Sequence, residues 1–455
     1  MRQMIRKPSL PETLLADDFR EEPYWWAAAS PKQGDGSAQA DLPRKADVAI
    51  IGGGITGMVA ALDLARAGAE VVVLDAQDIG EGAARRSAGF LGRTLKRSVD
   101  WLAHAHGRSH AVQVYRELDA ALKGVAALVE AEGIDCHHTL CGRFVAANSP
   151  AHFRAMIADL EAMRREVGFD YMVVEKHEQH REIVSDRYFG GAVIPDLGSI
   201  HPGLYHEGLV RRAQQAGARL HPFTAVERVQ PGEGPKRITT SRGSLTAREV
   251  VVATNGYTSR GLGWHARRVI PFRGFIIATE MLPAGLIERV LPRRRTYLDT
   301  RINIDFIRPA PDSNRILFGG STGTPSDTAM PLAATLRDRL VSILPDLGGV
   351  RLSRAWTGQC AGTFDFMPHV GKHDGVHFGL GYNFAGIPIG THFGRLIARR
   401  ILGRPHTPSV FETSRFPTAP FYSGSPWFVP LAMRYFDWHD KRIAAEHGPG
   451  RAVRA

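Results

Sequence analysis

The sequence has few of the features that mark secreted, disulfide-rich or membrane-spanning proteins. Its 455 residues include three cysteines, Cys136, Cys141 and Cys360, too few for a disulfide framework and consistent with a reducing compartment. No apolar run approaches the roughly 18 residues that a membrane span requires. The N-terminus is basic but lacks the apolar core of a secretory signal. We therefore expect a cytoplasmic protein without a transmembrane segment.

Nucleic-acid partners and metal ions are not expected either. The 57 basic residues exceed the 46 acidic ones, which gives a net charge of +11, but the basic residues are scattered. No basic stripe interleaved with aromatic residues and no nucleic-acid motif is present. The histidines at 104–110 and the Cys/His group at 136–141 do not have the spacing that lets ligands converge on one metal. A basic surface still suits a phosphate-bearing ligand.

The most informative stretch is 46–75, which has the pattern strand, glycine-rich turn, helix, strand, acid. The continuous apolar run 48–51 predicts a strand that is buried on both faces of a parallel sheet. Gly52, Gly54 and Gly57 then form a G-x-G-x-x-G pattern. These glycines allow a tight turn, a close approach of the backbone to a pyrophosphate, and close packing of helix on sheet. The stretch predicts a dinucleotide site.

Asp75 ends the second strand of this unit. Its carboxylate is placed to accept hydrogen bonds from the ribose hydroxyls of an adenosine. An acid at this position argues against NADP, whose 2′-phosphate it would repel, but leaves NAD and FAD open. Ile55, Thr56 and Ala76, which adjoin the glycines and the acid, are predicted to contact the same ligand.

Three later segments supply further small-residue turns. The Gly/Ala-rich loop 79–91 lets backbone approach a large planar or phosphorylated ligand. A buried strand and small turn at 250–257 offer a second approach to the dinucleotide. Near the C-terminus, a strand and glycine turn at 376–387 open another helix, whose positive N-terminus can face a ligand.

The C-terminal tail, 406–455, contains an unusual aromatic segment. Residues 426–438 are mostly apolar and aromatic, and Lys441 and Arg442 follow them. Such a segment can pack on its own protein, contact a partner protein, or lie on a membrane surface. The pattern leaves these three possibilities open.

Taken together, these pieces resemble the D-amino-acid-oxidase-like (DAO) family of FAD-dependent oxidoreductases, and within it the branch that contains γ-glutamylputrescine oxidase. The resemblance covers roughly residues 24–405. It rests on the order of the fingerprint and of these later motifs: 80–90, 253–256, 299–301 with 306–308 and 317–320, 356–358 with Asp365 and Pro368, and 379–382 with Gly386.

The resemblance implies an α/β plus α+β fold, with a discontinuous Rossmann-like FAD-binding domain and an antiparallel-sheet substrate domain. We expect the FAD-binding domain to comprise 46–100, 190–265 and 350–405, and the substrate domain 101–189 and 266–349. Residues 1–45 would be an N-terminal extension and linker.

The resemblance also implies roles for individual residues. Gly52, Gly54 and Gly57 would hold the pyrophosphate and Asp75 the ribose. The remaining expected FAD contacts are Arg86, Ser87, Ala88 and Gly89 along the pyrophosphate and isoalloxazine, Val226, Ala253 and Gly256 towards the adenine side, and Gly381, Asn383, Phe384, Gly386 and Ile387 at the pyrimidine side of the flavin.

Two departures from the family pattern bear on the chemistry. The segment 383–385 has no cysteine and the loop 80–91 no histidine, so we expect FAD to be bound non-covalently. Some amine-oxidising members use a lysine near the flavin to help oxygen react. This chain has no lysine between Lys236 and Lys372, which leaves both an oxidase and a dehydrogenase open.

The expected activity is FAD-dependent oxidation of an amine or amino acid to an imine by hydride transfer to the flavin. Arg301 and Arg308 are candidates to bind a substrate carboxylate, since a guanidinium matches a carboxylate in two hydrogen bonds. Tyr382 is a candidate for the wall of the flavin face. The alternatives are an NAD-linked dehydrogenase, and a membrane- or partner-docked flavoprotein whose electrons pass to a quinone or a second subunit.

Overall fold

Two large β-sheets organise the protein in the computed structural model, which describes residues 11–31, 41–93, 95–230, 232–412 and 415–446. The strands are β1 (Leu15–Arg20), β2 (Lys45–Ile51), β3 (Val71–Leu74), β4 (Phe90–Leu91), β5 (Arg143–Ala146), β6 (Met172–Val174), β7 (Gly191–Ile194), β8 (Gly198–Ser199), β9 (Arg219–His221), β10 (Val226–Val229), β11 (Lys236–Thr240), β12 (Gly243–Val252), β13 (Ile270–Thr279), β14 (Thr296–Asp299), β15 (Phe306–Pro309), β16 (Ile316–Gly320), β17 (Leu352–Gly362), β18 (His369–His373) and β19 (Val376–Leu380).

Helices cover both sheets. They are α1 (Ile55–Arg66), α2 (Val99–His106), α3 (Arg108–Glu132), α4 (Pro150–Val167), α5 (Pro202–Gln215), α6 (Gly263–Ala266), α7 (Leu286–Val290), α8 (Met330–Ile343), α9 (Gly386–Ile401) and α10 (Val429–Glu446). Among the helices of the described ranges, none combines the length and apolar character that a membrane crossing needs.

The first sheet has the parallel core that the fingerprint predicted. Its parallel strands lie in the order β19, β12, β2, β3, β9, while β10 and β11 form an antiparallel extension of β12, and β18 pairs with β19. Val48, Ile50 and Ile51 of β2 are buried because helices cover one face of the sheet and other strands and loops the other. This is the Rossmann-like arrangement expected for a dinucleotide site.

Helices α1 and α9 pack unusually close together on one face of this sheet. A Cβ at Gly394 would lie 2.7 Å from the carbonyl oxygen of Thr56, and one at Gly390 would lie 2.9 Å from the Thr56 Oγ1. Neither glycine therefore has room for a side chain. The contact joins two helices that are more than 300 residues apart in sequence and brings their N-termini to one place.

The second sheet has nine strands in the order β1, β17, β13, β16, β15, β14, β5, β7, β6. Its core is formed with the leucines of α8 and α7. The sheet is mostly antiparallel, as expected for the substrate domain. It differs from the expectation in two places, because β1 pairs with β17 and β14 pairs with β5 in parallel.

Three segments lie in this sheet although the sequence placed them elsewhere. Strand β1 belongs to the expected N-terminal extension, and β7 and β17 belong to the expected FAD-binding segments 190–265 and 350–405. Residues 32–40 of the expected N-terminal extension and linker lie outside the described residues. An apolar strand pattern identifies a strand but does not show which sheet the strand joins. The boundaries between the two domains therefore could not be derived from the sequence pattern alone.

Candidate functional site

The glycine turn between β2 and α1 has the geometry of a phosphate cradle. Gly52 has a φ of +102°, and a Cβ at Gly57 would lie 2.0 Å from the Gly52 carbonyl oxygen. Only glycine fits at either position. Gly54 is the N-cap of α1 and offers no side-chain cap. The first N–H groups of α1 therefore receive no hydrogen bond from an N-cap side chain. The helix dipole favours an anion at this end of the helix.

Asp75 lies beside this turn, as the pattern predicted. Its carboxylate accepts hydrogen bonds from the backbone N–H of Gly53 at 2.8 Å and of Gln77 at 3.0 Å. Burial raises the pKa of Asp75 to about 6, although these hydrogen bonds oppose the shift. Burial of this carboxylate is unfavourable because it loses contact with water. Hydroxyl groups of a bound ligand can supply the hydrogen bonds that water no longer gives.

His206, which no sequence motif indicated, forms a hydrogen bond to the glycine turn from α5. The Nε2 of His206 on α5 lies 2.7 Å from the carbonyl oxygen of Gly53, and the Nδ1 accepts a hydrogen bond from the Arg85 Nε at 3.0 Å. His206 therefore donates from Nε2 and is neutral. Burial and the charge of Arg85 lower the pKa of His206 to about 3. No motif signals this residue, because its partners are 121 and 153 residues away.

The turn after β12 lies directly against the fingerprint. The Ala253 N–H donates to the Ile51 carbonyl at 2.8 Å, and a Cβ at Gly52 would lie 2.9 Å from the Ala253 carbonyl oxygen. Val226 begins β10 two residues after Thr224, whose N–H donates to the Asp75 carbonyl at 2.6 Å. The segments predicted for the adenine side are thus neighbours of Gly52 and Asp75.

The loop before α9 is fastened to both of these turns. The Asn255 Oδ1 accepts from the N–H of Gly381 at 2.9 Å, and Gly256 packs on β17 without room for a Cβ. The Tyr382 hydroxyl lies 2.6 Å from the Thr56 Oγ1 and donates to the Gly379 carbonyl at 2.6 Å. The hydroxyl of Tyr382 thus links the start of α1 to the end of β19.

Asn383 and Phe384 shape the start of α9. Both have left-handed backbone, with φ of +44° and +77°. The Asn383 side chain donates to the carbonyl of Gly381 at 2.6 Å, whereas the Phe384 ring is 45% exposed and lies 5.1 Å from the Phe272 ring. Gly386 begins α9, and its N-cap also lacks a side-chain cap. A second helix N-terminus is therefore available beside the first.

The loop 86–89 is held between the two sheets. Arg86 donates to the Glu81 carbonyl at 2.6 Å and to the Thr357 carbonyl at 3.1 Å. The Ser87 Oγ is buried and has no hydrogen-bond partner among the described residues, although its carbonyl accepts from the indole of Trp25. A buried hydroxyl without a partner is costly unless a ligand completes it.

Arg308, predicted to bind a substrate carboxylate, holds this loop instead. Its Nη1 donates to the carbonyls of Ala88 at 2.9 Å, Gly89 at 3.2 Å and Ile200 at 3.0 Å. The side chain is buried, and desolvation lowers the pKa of Arg308 to about 10. The same close packing leaves no room for a side chain at Gly89, whose φ is +71°.

Arg301, the other predicted carboxylate ligand, lies in a cluster of charges after β14. Its Nε donates to the Asp299 carboxylate at 2.7 Å, and its Nη2 bonds both Asp299 and Asp305. Arg339 donates to the other carboxylate oxygen of Asp305. Two of the three guanidinium nitrogens of Arg301 are therefore engaged by protein acids. In the described residues, no three His, Cys, Asp or Glu side chains gather as a metal site.

Lys96 is a further candidate that the sequence analysis missed. Its Nζ donates to the Ile302 carbonyl at 3.0 Å and lies 5.0 Å from the centroid of the Phe384 ring. Desolvation lowers the pKa of Lys96 to about 8, against the opposing charges of Asp299 and Asp440. Lys96 lies outside the segment 237–371, where the family pattern placed such a lysine; it follows the loop 79–91 and reaches Phe384 only through the fold.

These observations fit an anionic dinucleotide ligand. Two helix N-termini without side-chain caps, the acid beside the glycine turn, and the buried, unpartnered hydroxyl of Ser87 lie on adjoining segments. The fold and the site therefore define a dinucleotide-binding protein with a second large sheet that contacts the loop 86–89.

Comparison with known proteins names the family. The model of the family described as DAO, FAD dependent oxidoreductase, matches residues 47–400. The chain belongs to this family, and it is an FAD-dependent oxidoreductase, as predicted. The family cofactor also removes the alternative of an NAD-linked dehydrogenase.

Individual relatives extend over most of the chain. It is 30% identical to "Probable oxidoreductase OrdL" of Rhizobium meliloti, over 88% of this chain and 92% of the relative. It is 29% identical to gamma-glutamylputrescine oxidoreductase of Escherichia coli, over 87% and 93% respectively. The crystal structure of glycine oxidase from Geobacillus kaustophilus superposes with a TM-score of 0.68 at 23% identity, over 83% of this chain and 99% of that one, which supports the fold.

Proposed function

We propose that the protein oxidises the C–N bond of an amine or amino acid. Bound FAD supplies the acceptor for a hydride from the substrate carbon next to nitrogen, and the imine so formed is hydrolysed by water. The names of two relatives, gamma-glutamylputrescine oxidoreductase and glycine oxidase, support an amine or amino-acid substrate.

The single observation that carries our placement of the cofactor is the unpartnered hydroxyl of Ser87, taken together with two helix starts that lack side-chain caps. We assign the pyrophosphate to the starts of α1 and α9 and the ribose to Asp75. The full proposed set of FAD contacts is Gly52, Gly54, Ile55, Thr56, Gly57, Asp75, Ala76, Arg86, Ser87, Ala88, Gly89, Val226, Ala253, Gly256, Gly381, Asn383, Phe384, Gly386 and Ile387.

Lys96 supports oxidation of an amine in particular. A substrate ammonium must lose a proton before its carbon can give up hydride, because the nitrogen lone pair stabilises the developing cation. Lys96 has a pKa of about 8, and among the described residues its ammonium nitrogen donates to the Ile302 carbonyl. Its amine is thus matched to take a proton near neutral pH. Asp299 and Asp440 would hold the lysine in place once it is protonated.

The two predicted arginines are assigned differently. Arg308 holds the loop 86–89 through backbone carbonyls. Arg301 remains our candidate to bind a substrate carboxylate. Its Nη1 could donate to the substrate, since this nitrogen has no hydrogen-bond partner among the described residues, whereas Nε and Nη2 donate to protein acids. Tyr382 is assigned to positioning α1, through the Thr56 hydroxyl.

The test is anaerobic mixing of the purified holoenzyme with a panel of amines, D- and L-amino acids and N-substituted glycines. Bleaching of the flavin absorbance reports reduction, and the hydroxy analogue of each substrate is the matched control. We expect bleaching by at least one amine and by none of the hydroxy analogues. Bleaching by the hydroxy analogues alone would contradict the proposal.

The same experiment identifies the electron acceptor. Readmitted oxygen should restore the flavin colour within seconds if the enzyme is an oxidase. Slow recovery with oxygen and rapid recovery with a soluble quinone would instead assign a dehydrogenase. That outcome would support the alternative in which electrons pass to a quinone or a second subunit.

Non-covalent FAD and a cytoplasmic location complete the proposal. Burial raises the pKa of Cys360 to about 11, so this cysteine near Gly256 is not a ready thiolate for attachment. Acid precipitation should release all of the flavin into the supernatant. Cell fractionation tests the location.

A further inference from the structure

The C-terminal helix α10 has one face fixed to the protein and one face turned to solvent. The buried Asp440 accepts from the N–H of Ile302 at 2.9 Å, and Asp437 accepts from the Asn303 amide at 3.4 Å. A Cβ at Gly323 would lie 2.5 Å from the Met433 side chain, so this side of the helix packs tightly. These contacts show that one face of α10 packs on its own protein, which was one of the three possibilities for the tail.

The opposite face of α10 carries large apolar side chains that make no such contact. Leu431, Tyr435 and Trp438 are between 53% and 59% exposed. With about 100° per residue, they lie within one narrow sector of the helix. Trp427, just before the helix, is 72% exposed, and Phe421 is fully exposed. We call Phe421, Trp427, Leu431, Tyr435 and Trp438 the outer row.

The outer row is a concentrated feature of the surface. Of the fourteen exposed large apolar side chains in the described residues, five fall between residues 421 and 438. Scattered exposed apolar side chains are normal, whereas neighbours on one helix face, such as Leu431, Tyr435 and Trp438, indicate a surface that is covered by something else.

The charges beside the outer row are positive. Arg434 and Arg442 are exposed on the same sector of α10, and the guanidinium of Arg442 lies 5.6 Å from the Trp438 ring. Arg267 and Arg268 line a surface depression together with Phe421. Of the nearby acids on α10, Asp440 is buried and accepts from the Ile302 N–H, and Asp437 accepts from the Asn303 amide.

We propose that the outer row and its arginines dock the protein on an anionic lipid surface. Trp and Tyr side chains favour the headgroup level of a bilayer, where the ring is in an apolar zone and the polar atom is hydrated. Arginines on the same face bind acidic headgroups, and the net charge of +11 adds attraction at longer range. The chemistry required of the partner is a negative, planar, partly apolar surface, which an acidic bilayer supplies.

The test is co-sedimentation of the holoenzyme with vesicles of phosphatidylglycerol and phosphatidylcholine in equal parts, with phosphatidylcholine vesicles alone for comparison. We expect binding to the acidic vesicles, and at least tenfold weaker binding in the double variant Trp427→Ser/Trp438→Ser. Arg434→Glu should also weaken binding, by about tenfold. Unchanged flavin absorbance and thermal unfolding would show that the variants fold.

Two matched variants control for nonspecific effects. Met281→Ser removes an apolar side chain that is 55% exposed elsewhere, and Arg228→Glu reverses an exposed charge on β10. Both should bind as the wild type does. Equal losses in the controls, absence of wild-type binding, or equal binding to neutral vesicles would overturn the proposal.

A protein partner is the competing occupant, and the same variants address it. Concentration-dependent dimerisation of the lipid-free protein that is abolished by Trp427→Ser/Trp438→Ser would replace the lipid by a second copy of the chain. Lipid binding is measured without substrate, so its outcome is independent of the proposed amine oxidation.

Discussion

Replacement of Asp75 by asparagine should stabilise the apoprotein while it weakens the binding of FAD. The pKa of Asp75 is raised from 3.8 to about 6 by burial. A shift of roughly two units corresponds to about 3 kcal/mol against the ionised form in the folded state. Because the raised pKa belongs to the folded state, this cost is absent at pH below 4, grows as the pH rises from 4 to 6, and is complete above pH 6.

Asparagine removes that cost but also removes one acceptor. An amide oxygen can still accept from the Gly53 N–H, whereas the amide nitrogen cannot accept from the Gln77 N–H. The lost hydrogen bond costs about 1–2 kcal/mol. We therefore expect the Asp75→Asn apoprotein to be more stable than wild type by about 1–2 kcal/mol at pH 8, and less stable than wild type at pH 4.

FAD binding should change in the other direction. A carboxylate that accepts from ribose hydroxyls contributes about 1.5–3 kcal/mol for each hydrogen bond, so the loss of the charge should weaken FAD binding about 10- to 100-fold. Urea unfolding of the apoprotein at pH 8 and pH 4 measures the first effect, and fluorescence titration with FAD the second.

Asp47→Asn is the matched control for this experiment. Asp47 lies near the start of the neighbouring strand β2, at the opposite edge of the sheet, and accepts from the Glu70 N–H at 2.9 Å. Its replacement should leave the Kd for FAD unchanged. A wild-type Kd in Asp75→Asn would refute the ribose assignment, and an equal stability difference at both pH values would refute the desolvation argument.

Variants at three further residues test individual roles in the site. Lys96→Met and Lys96→Arg should both move the midpoint of the pH–rate profile for flavin reduction from about 8 towards the pKa of the substrate amine. A midpoint that stays near 8 in both variants would exclude Lys96 as the proton acceptor. Arg308→Met should lower the free energy of unfolding by about 2–4 kcal/mol, since three buried carbonyls lose their donor, and should leave KM unchanged for carboxylated substrates; a selective rise in that KM would restore Arg308 as a carboxylate ligand. His206→Leu should weaken FAD binding. The pKa of His206 is lowered to about 3 in the folded protein, so the wild type should lose about 2 kcal/mol of unfolding free energy through this residue as the pH falls from 6.5 to 5, and His206→Leu should not show this loss. Urea unfolding curves with the same pH dependence for the two proteins would contradict this.

The sequence by itself determined the β2–α1–β3 unit and its acid. All of the interactions that define this unit fall within 30 residues, so apolar runs, glycine spacing and a terminal carboxylate suffice to predict it. The order of the later motifs was equally informative, because it identified the family and hence FAD. Local chemistry sets the conformation of a turn or a helix start, and a linear sequence displays that chemistry directly.

Tertiary structure decided which side chains meet. Lys96 reaches Phe384, and Arg308 is committed to the carbonyls of the loop 86–89, only because the two sheets pack together. Nothing in the spacing of these residues in the sequence distinguishes an arginine that binds substrate from one that holds a backbone loop. The difference lies in which acceptors surround the guanidinium.

The same reasoning applies to the two helix starts and to the tail. Helices α1 and α9 converge because Gly390 and Gly394 let them touch at Thr56, and the face of α10 that is exposed follows from where Asp440 is bonded. A local pattern specifies the backbone within a few turns, whereas each of these contacts joins residues more than 100 positions apart. Such contacts depend on the packing of the whole chain, and only the folded structure shows them.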